Sequence, residues 1–316
     1  MENTGCSPSC EIDLRRIELG GRELLVKGYI CARDGGDYRP KEGMPALQLT
    51  VSPSAFCAAK CPFCIAEGCD QKRFIDLERL RRALIFLKER QMVRGVSFSG
   101  GEPMTDFTLL DEAISLVFET LGEKTEVCVT TNGTNLHRIP QIGKLHLMEA
   151  VHISRHHRDD AVNRSLFGID VPGREALREL FAAVPYQDLF VLNCMLLRGY
   201  TGTAEEAHRY LDFAAEIGAY KVSFITGIAV NDFVRSRRVS YDDVLRDDDP
   251  SLYFTRKYRD YGWCRCRDGV YCTPEGKLIE FYGRMPGDEP CPYVRGLSFG
   301  ADNRLRVGYG GEEIPY

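Results

Sequence analysis

The sequence lacks the apolar segments that direct a chain into or across a membrane. No run approaches the roughly 18 apolar residues of a membrane span, and the start, MENTGCSPSCEIDLRR, lacks the basic and then apolar order of a signal peptide. An excess of one charge is also missing, because 41 Lys and Arg stand against 46 Asp and Glu, a net charge of −5. We therefore expect a cytoplasmic protein with no membrane partner and no overall field that attracts nucleic acid.

Internal repeats and low-complexity segments are absent, as is a basic module with interleaved aromatic residues, so no nucleic-acid partner is expected. What is present is an ordinary globular composition. Of the 316 residues 44% are hydrophobic and 28% are charged, which excludes disorder and fibrous structure. Cysteine is abundant, with 13 in the chain. In a cytosolic chain of this size, so many thiols indicate metal or redox chemistry rather than disulfides.

Short apolar or β-branched segments alternate with helical segments along the middle of the chain. The six predicted strands are 46–51, 95–99, 126–130, 150–154, 189–196 and 221–226. Between the first two, residues 77–91 place leucines at steps of three and four, as an amphipathic helix requires. Such alternation predicts parallel strands joined by right-handed crossovers. Because a full barrel needs eight units, we predict an α/β fold, a partial (β/α)6 TIM-like barrel with its site at the carboxyl ends of the strands.

Two further regions flank this predicted barrel. The predicted domains are 1–45, a short N-terminal extension, 46–234, the barrel core, and 235–316, a C-terminal accessory cap. In the extension, an alternating stretch at 23–31 and turn residues at 34–37 indicate a small hairpin. In the accessory region, strand pairs are predicted around 269–282 and 296–308.

Three cysteines follow the first predicted strand in the segment CAAKCPFC. Cys57, Cys61 and Cys64 lie on one short loop that can present three thiolates to a cubane iron–sulfur cluster. The fourth iron of such a cluster would have no protein ligand. Zinc is the alternative, and it would need a fourth ligand at suitable spacing, for which Cys69 is the nearby candidate.

The cysteine spacing, with Phe63 before the last thiol, resembles the signature of the radical S-adenosylmethionine (SAM) superfamily. Segments similar to the family's SAM-binding motifs follow the next strands: SFSGGEP after the second, TTNGT after the third and HISRHH at the fourth. The resemblance implies a [4Fe-4S] cluster held by the three cysteines, together with bound SAM. The residues expected to bind this cofactor are Phe63, Gly100, Gly101, Glu102, Thr130, Thr131, Asn132, Ser154, Arg155 and Asn193.

The resemblance also assigns individual contacts within these motifs. Glu102 lies in the segment that family members use to bind the SAM amino group, beside two glycines that permit close backbone approach. Ser154 and Arg155 stand where the family often contacts the ribose and carboxylate of SAM. We interpret the HHR that follows as a solvated loop, with substrate contact as the alternative. For Asn193, a hydrogen-bonded core amide is the alternative.

By resemblance, the protein is an enzyme that reductively cleaves SAM at the cluster. The resulting 5′-deoxyadenosyl radical takes a hydrogen atom from an unactivated carbon, so no protein side chain is nominated as a catalytic acid or base. An electron donor such as flavodoxin or ferredoxin is the expected partner. Arg235, Arg237 and Arg238 follow the sixth strand and favour a small anionic substrate: a nucleotide, a sugar nucleotide or a natural-product intermediate. A solvated loop is the alternative for these arginines.

Cysteines near the end of the chain raise the question of a second cluster. They are Cys264, Cys266, Cys272 and Cys291. The region is loosely similar to the molybdenum-cofactor GTP cyclase and twitch branches of the family, which implies an auxiliary cluster. We favour core thiols instead, because the cysteine spacing of those branches is not matched.

Two other activities within the family are weighed against a small-molecule enzyme. A peptide maturase often begins with a leader-binding domain, for which 45 residues are too few. An activase for a glycyl-radical enzyme usually lacks so long a C-terminal region. Outside the family, an iron–sulfur electron carrier would need a cluster fully ligated by protein.

Overall fold

The computed structural model describes residues 14–27, 47–66, 71–246, 248–255, 268–284, 293–294 and 296–316. Its strands are β1 (Leu14–Leu19), β2 (Arg22–Lys27), β3 (Leu47–Val51), β4 (Val93–Phe98), β5 (Glu126–Thr131), β6 (Ala150–Ser154), β7 (Phe190–Leu196), β8 (Lys221–Thr226), β9 (Leu252–Thr255), β10 (Asp268–Cys272), β11 (Leu278–Arg284), β12 (Gly296–Phe299) and β13 (Leu305–Val307). Its α-helices are α1 (Leu77–Glu89), α2 (Phe107–Leu121), α3 (Asp160–Phe167), α4 (Arg174–Ala183), α5 (Ala204–Glu216), α6 (Asp232–Arg237) and α7 (Tyr241–Val244).

The main sheet has eleven strands in the order β13-β12-β3-β4-β5-β6-β7-β8-β11-β10-β9. Strands β3 to β8 are neighbours in chain order and all parallel, which confirms the six strands of the predicted α/β partial barrel. The connection from β5 to β6 differs from the others, because it contains short 3-10 helices in place of an α-helix. Two more parallel strands join them, because β12 pairs with β3 and β11 pairs with β8. The parallel part of the sheet therefore contains eight strands, with antiparallel strands at both edges.

The C-terminal strands belong to the same sheet as the barrel. The strand pairs predicted there are present as the antiparallel pairs β10–β11 and β12–β13. These strands extend both sides of the core, with β11, β10 and β9 beyond β8 and with β12 and β13 beyond β3. On β11 the ring of Phe281 lies 6.4 Å from that of Phe224 on β8, which in turn lies 6.0 Å from Tyr210 of α5. The boundaries of the three regions stay a prediction.

A hairpin that was not predicted lies at the start of the described chain. Strands β1 and β2 are antiparallel and are joined by Gly20 and Gly21, both with positive φ (58° and 74°). Two residues in this conformation match a type I′ turn, for which glycine is preferred because it has no Cβ. The hairpin turn predicted at 34–37 lies outside the described residues and stays a prediction.

The helices begin at the residues that capping chemistry favours. Thr203 caps α5, its hydroxyl accepting a hydrogen bond from the backbone N–H of Glu206 (3.2 Å), and the carboxylate of Asp76 does the same for α1. The buried face of α1 carries the leucines that the periodicity predicted. In the described ranges, no helix is long and apolar enough to span a bilayer.

The two faces of the parallel sheet differ in chemistry, because successive side chains of a strand point to opposite sides. The face that packs against the helices, the outer face, is apolar and buried. It carries Leu49, Val51, Val96, Phe98, Val127, Val129, Val151, Ile153, Leu192, Val222, Phe224 and Phe281. The opposite or inner face is largely polar. At alternate positions of the same strands it carries Thr50, Ser97, Cys128, Thr130, His152, Ser154, Asn193, Ser223 and Tyr282.

We expect Phe281→Ala to destabilise the whole sheet if β11 is an integral strand. Phe281 is 1% exposed, and removing a buried phenylalanine costs about 3–5 kcal/mol. Urea unfolding followed by circular dichroism measures the change. Leu278→Ala on the same strand is the matched control, because Leu278 is 59% exposed and its truncation should change stability by less than about 0.5 kcal/mol. Equal, small effects of both variants would contradict the integral strand.

Candidate active site

One cavity of about 600 Å³ lies where the cysteine loop meets the carboxyl ends of β4, β5 and β6. Its lining includes Cys57, Lys60, Cys61, Phe63, Cys64, Gly100, Gly101, Glu102, Thr130, Thr131, Asn132, Ser154, His156 and Phe167. Its volume falls in the range of small-molecule and cofactor sites. Of the thirteen residues predicted to bind cluster or cofactor, eleven line this cavity, and Arg155 and Asn193 do not.

The cysteine loop is fixed to the helices around it. The backbone N–H of Lys60 donates to the oxygen of Phe167 at the end of α3 (2.7 Å). The side-chain amide of Asn231, at the start of α6, donates to the oxygen of Pro62 (2.8 Å). The ring of Phe63 is buried in a small apolar cluster with residues of α3 and α6. The loop therefore has a defined position relative to the barrel.

All three thiols of the cysteine loop line the cavity, and thiolates are the ligands that a cubane cluster takes. Burial raises the pKa of Cys57, and hydrogen bonds from the backbone of Ala59 and the amide of Asn132 oppose that shift. Within the residues that the structure describes, no three His, Cys, Asp or Glu side chains converge on one metal ion. A cubane does not need such convergence, because each thiolate binds a different iron. Cys69, the fourth ligand considered for zinc, lies outside the described residues.

Glu102 is a buried carboxylate that joins the end of β4 to the end of β5. One oxygen accepts hydrogen bonds from the hydroxyl of Thr131 (2.6 Å) and the N–H of Met104 (2.9 Å), and the other accepts from the N–H of Asn132 (2.7 Å). Burial raises the pKa of this carboxyl to about 7, although the three hydrogen bonds act in the opposite direction. Because Glu102 also lines the cavity, its carboxylate can receive a cationic group there.

The two glycines before Glu102 allow the backbone to approach the loop that leads to the cysteines. A Cβ on Gly101 would lie 2.5 Å from the backbone oxygen of Phe56, and Gly100 has a φ of +115°. In this arrangement the N–H of Gly101 donates to the oxygen of Ser54 (3.2 Å) and that of Glu102 donates to Phe56 (2.8 Å). The glycines are therefore required by close backbone packing beside the cavity.

Arg155 occupies a different place from the one predicted. It is 1% exposed, it pairs with Asp160, and its guanidinium lies 4.9 Å from the ring of Phe213 on α5. Its other hydrogen bonds go to the backbone oxygens of His157 (2.9 Å), Arg158 (3.0 Å) and Pro172 (3.2 Å). The guanidinium is thus bound by protein acceptors on the helical side of the sheet. The prediction that it contacts SAM is corrected to a structural role.

The side chain that lines the cavity next to Ser154 is His156. Its Nδ1 accepts a hydrogen bond from the N–H of Met195 (3.2 Å), its ring stacks on Phe167 (5.1 Å) and it meets Phe63 edge-on (4.8 Å). Burial, and then the charge of Arg155, lower its pKa to about 3, so the ring is neutral with its proton on Nε2. The sequence predicted a solvated loop at this residue. The signal that points to His156 is the two-residue period of β6, which, continued past Ser154, places residues 154 and 156 on the same side.

Asn193 is a core amide, the alternative that sequence analysis left open. It is 2% exposed, and its Oδ1 lies 3.1 Å from Nδ1 of His152 on the neighbouring strand β6. Both residues lie on the inner face, below the cavity. Asn193 is not among the residues that line the cavity, so its expected contact with SAM is not supported by this geometry.

The three arginines expected at the barrel mouth lie on or just after α6, but they do not line the cavity. Arg235 pairs with Asp232 (2.7 Å) and donates to the oxygen of Ala229 (3.1 Å). The guanidinium of Arg237 lies over the ring of Phe233 (4.3 Å). Their predicted contact with a substrate is not supported by this geometry.

The late cysteines are only partly described. Cys272 is an exposed thiol on β10, so it is not the core thiol that sequence analysis favoured. Cys264, Cys266 and Cys291 lie outside the described residues.

The eight parallel strands form an α/β barrel, and the loop of three cysteines and the glycine–glutamate turn lie beside one cavity at the carboxyl ends of its strands. The model of the Radical SAM superfamily matches residues 51–227. The chain belongs to the radical SAM superfamily and is an enzyme. Membership of this superfamily implies a [4Fe-4S] cluster and SAM.

Two archaeal proteins are similar in sequence to this chain. A "Probable GTP 3′,8-cyclase" of Thermococcus kodakarensis is 27% identical over 181 residues, which cover 56% of this chain and 55% of that protein. A protein of the same name from Pyrococcus abyssi is 26% identical over 183 residues, 56% of each chain. The chain thus matches little more than half the length of these relatives.

Solved structures of SuiB from Streptococcus suis share the fold. The structure bound to S-adenosylmethionine is 18% identical with a TM-score of 0.55, covering 86% of this chain and 63% of SuiB. The structure bound to precursor peptide SuiA is 17% identical with the same TM-score, covering 83% and 59%. At these identities the similarity shows the architecture alone.

We expect Arg155→Ala to lower the free energy of unfolding without changing the affinity for SAM. Removing the guanidinium leaves three carbonyls without this donor and removes the ion pair of Asp160, which keeps the backbone N–H of Arg174 (3.2 Å). We expect a cost of about 3 kcal/mol or more. Denaturant unfolding measures this loss, with Arg178→Ala, an exposed arginine of α4, as a control that should cost less than about 1 kcal/mol. Calorimetric titration of the folded Arg155 variant should give an unchanged SAM affinity. A variant that has the stability of the wild type but binds SAM more weakly would support the predicted contact between Arg155 and SAM.

Proposed function

We propose that this radical SAM enzyme acts on a small, polar metabolite held in the cavity and against the inner face of the sheet. The observation that carries the proposal is the chemistry of that face, which presents hydroxyl, imidazole, amide or thiol groups from every strand between β3 and β8. Buried polar groups need hydrogen-bond partners, so such an interior favours a substrate rich in donors and acceptors over an apolar one.

The residues that would hold the cofactors follow from the lining of the cavity. The thiolates of Cys57, Cys61 and Cys64 would bind the cluster, and the carboxylate of Glu102 would receive the ammonium group of SAM. The remaining lining residues from the prediction, including Ser154, surround the same space. When bound and given one electron by a donor, the cluster and SAM would supply methionine and a 5′-deoxyadenosyl radical able to abstract a hydrogen atom. The protein contributes binding, orientation and exclusion of water.

Within this class of substrate, a nucleotide is the one we favour. Two observations support it: the relatives carry the name GTP 3′,8-cyclase, and Lys60 places a cation among the residues that line the cavity. Lys60 thereby replaces Arg235 and Arg237 as the local support for an anionic substrate. A peptide substrate is the competing proposal, and it is favoured if no nucleotide stimulates SAM cleavage by the wild-type enzyme.

The cysteine loop is also where an electron donor would bind. Cys64 and Lys60 are exposed, so the cluster would lie close to the protein surface. We propose a flavodoxin or ferredoxin as the donor, because a cluster near the surface can receive an electron from a docked protein. We further propose that the chain holds one cluster, with no auxiliary cluster at the late cysteines.

We expect Cys61→Ala to remove the cluster and with it all 5′-deoxyadenosine formation. The reason is that each of the three thiolates binds its own iron and none is redundant. Anaerobically reconstituted wild-type protein should contain about four irons per chain, and the variant should lose its visible iron–sulfur absorption. Cys272→Ser, at an exposed thiol away from the cavity, is the control and should keep both the iron and SAM cleavage. A Cys61 variant that still cleaves SAM, or a wild-type count near eight irons, would contradict the assignment.

We expect Lys60→Gln to weaken nucleotide binding about tenfold, since a charge-assisted contact contributes roughly 1.5–3 kcal/mol and exposure reduces it. The assay is 5′-deoxyadenosine formation with SAM and dithionite, titrated with GTP and other nucleoside triphosphates. Arg235→Gln removes the same charge outside the cavity and should leave the titration unchanged. If no nucleotide stimulates the wild-type enzyme, the nucleotide proposal fails while the radical SAM assignment stands.

A further inference from the structure

One of the cavity residues, Asn132, contacts a cysteine of the cluster loop directly. The side-chain nitrogen Nδ2 of Asn132 lies 3.7 Å from Sγ of Cys57, within hydrogen-bonding distance for sulfur. The two residues are 75 positions apart in sequence. They meet because the loop after β3 and the loop after β5 both reach the carboxyl ends of parallel strands.

The orientation of the Asn132 amide is determined by its other hydrogen bonds. Its Oδ1 accepts the backbone N–H of Thr134 (2.8 Å), a group that can only donate. The amide nitrogen must therefore face Cys57, so the usual ambiguity between the two ends of an asparagine side chain does not arise here. The backbone of Asn132 is held in turn by Glu102 (2.7 Å), and the residue is buried.

We propose that Asn132 is a positioning residue of the iron–sulfur cluster, whose amide donates a hydrogen bond to the Cys57 thiolate and raises the reduction potential of the cluster. Hydrogen bonds to cluster sulfurs stabilise the reduced, more negative state and thereby set the potential. The inference rests on the proposed cluster at the three cysteines. It gives Asn132 a role distinct from the SAM contact that the sequence motif implied.

Asn132→Asp is the sharpest test, because aspartate has the same shape and keeps an oxygen to accept the Thr134 N–H. The group that faces Cys57 then changes from a donor to a negatively charged acceptor. The measurement is the midpoint potential of the anaerobically reconstituted full chain, from EPR-monitored redox titration without SAM. We expect the ratio of reduced to oxidised cluster at a fixed potential to fall about tenfold, equivalent to 59 mV for a one-electron couple.

Asn135→Asp is the matched control, since it makes the same charge change three residues along the same loop. Asn135 has a left-handed conformation (φ 63°), which aspartate tolerates, and its amide donates to the oxygen of Met104 (3.3 Å) rather than to a cysteine. This variant should leave the potential close to that of the wild type. An equal shift in both variants would mean a general charge effect and would overturn the proposal.

Asn132→Ala removes the donor without adding charge, and it keeps the proposal testable if the aspartate variant fails to retain its cluster. Its potential should also fall, and pulsed EPR of the reduced protein in D2O should lose the coupling of one exchangeable deuteron. An unchanged potential in Asn132→Ala, combined with weaker SAM binding by calorimetry, would overturn the proposal and return Asn132 to a SAM contact. Wild-type protein without a four-iron cluster would instead refute the proposed function itself.

Discussion

The geometry of the site depends on one buried carboxylate. Glu102 lies at the end of β4, yet all three of its hydrogen bonds come from residues just beyond it or from the end of β5. Burying a carboxylate is costly, so the charge persists only where such donors compensate the lost hydration. In doing so, Glu102 fixes the backbone of Asn132, whose side chain then reaches Cys57. A single group thereby links the glycine–glutamate turn, the loop after β5 and the cysteine loop.

The second constraint is the two-residue period of the strands. Parallel sheets covered on both faces consist of nearly continuous apolar runs. Here each strand instead alternates, with residues such as Val129 and Ile153 against the helices and Thr130 and His152 on the inner face. The interior of this barrel is therefore not an apolar core. Its polar groups are matched in part by one another, as in the pair of His152 and Asn193, and in part face the space that a ligand would occupy.

The six central strands could be predicted from the sequence, because alternation of β and α segments is a local pattern. The proximity of the motifs could also be predicted, since the carboxyl ends of parallel strands meet at one edge of the sheet. The pairing of β11 with β8 and of β12 with β3 was not predicted, because these strands are far apart in the chain and a local sequence pattern does not identify such partners. The turn at Gly20 and Gly21 was missed although a glycine pair is a strong local signal.

Arg155 and His156 show what a motif resemblance leaves undetermined. The resemblance identified the segment but not which side chain points inward, and the two-residue period places Ser154 and His156 on one side and Arg155 on the other. Charge alone does not decide between the two positions, because SAM carries a carboxylate as well as its sulfonium and ammonium groups. A guanidinium in the cavity would be attracted by the carboxylate and repelled by the two cations. What decides is the direction of each side chain along the backbone, which brings His156 to the cavity and the Arg155 guanidinium to Asp160 and three carbonyls on the helical side.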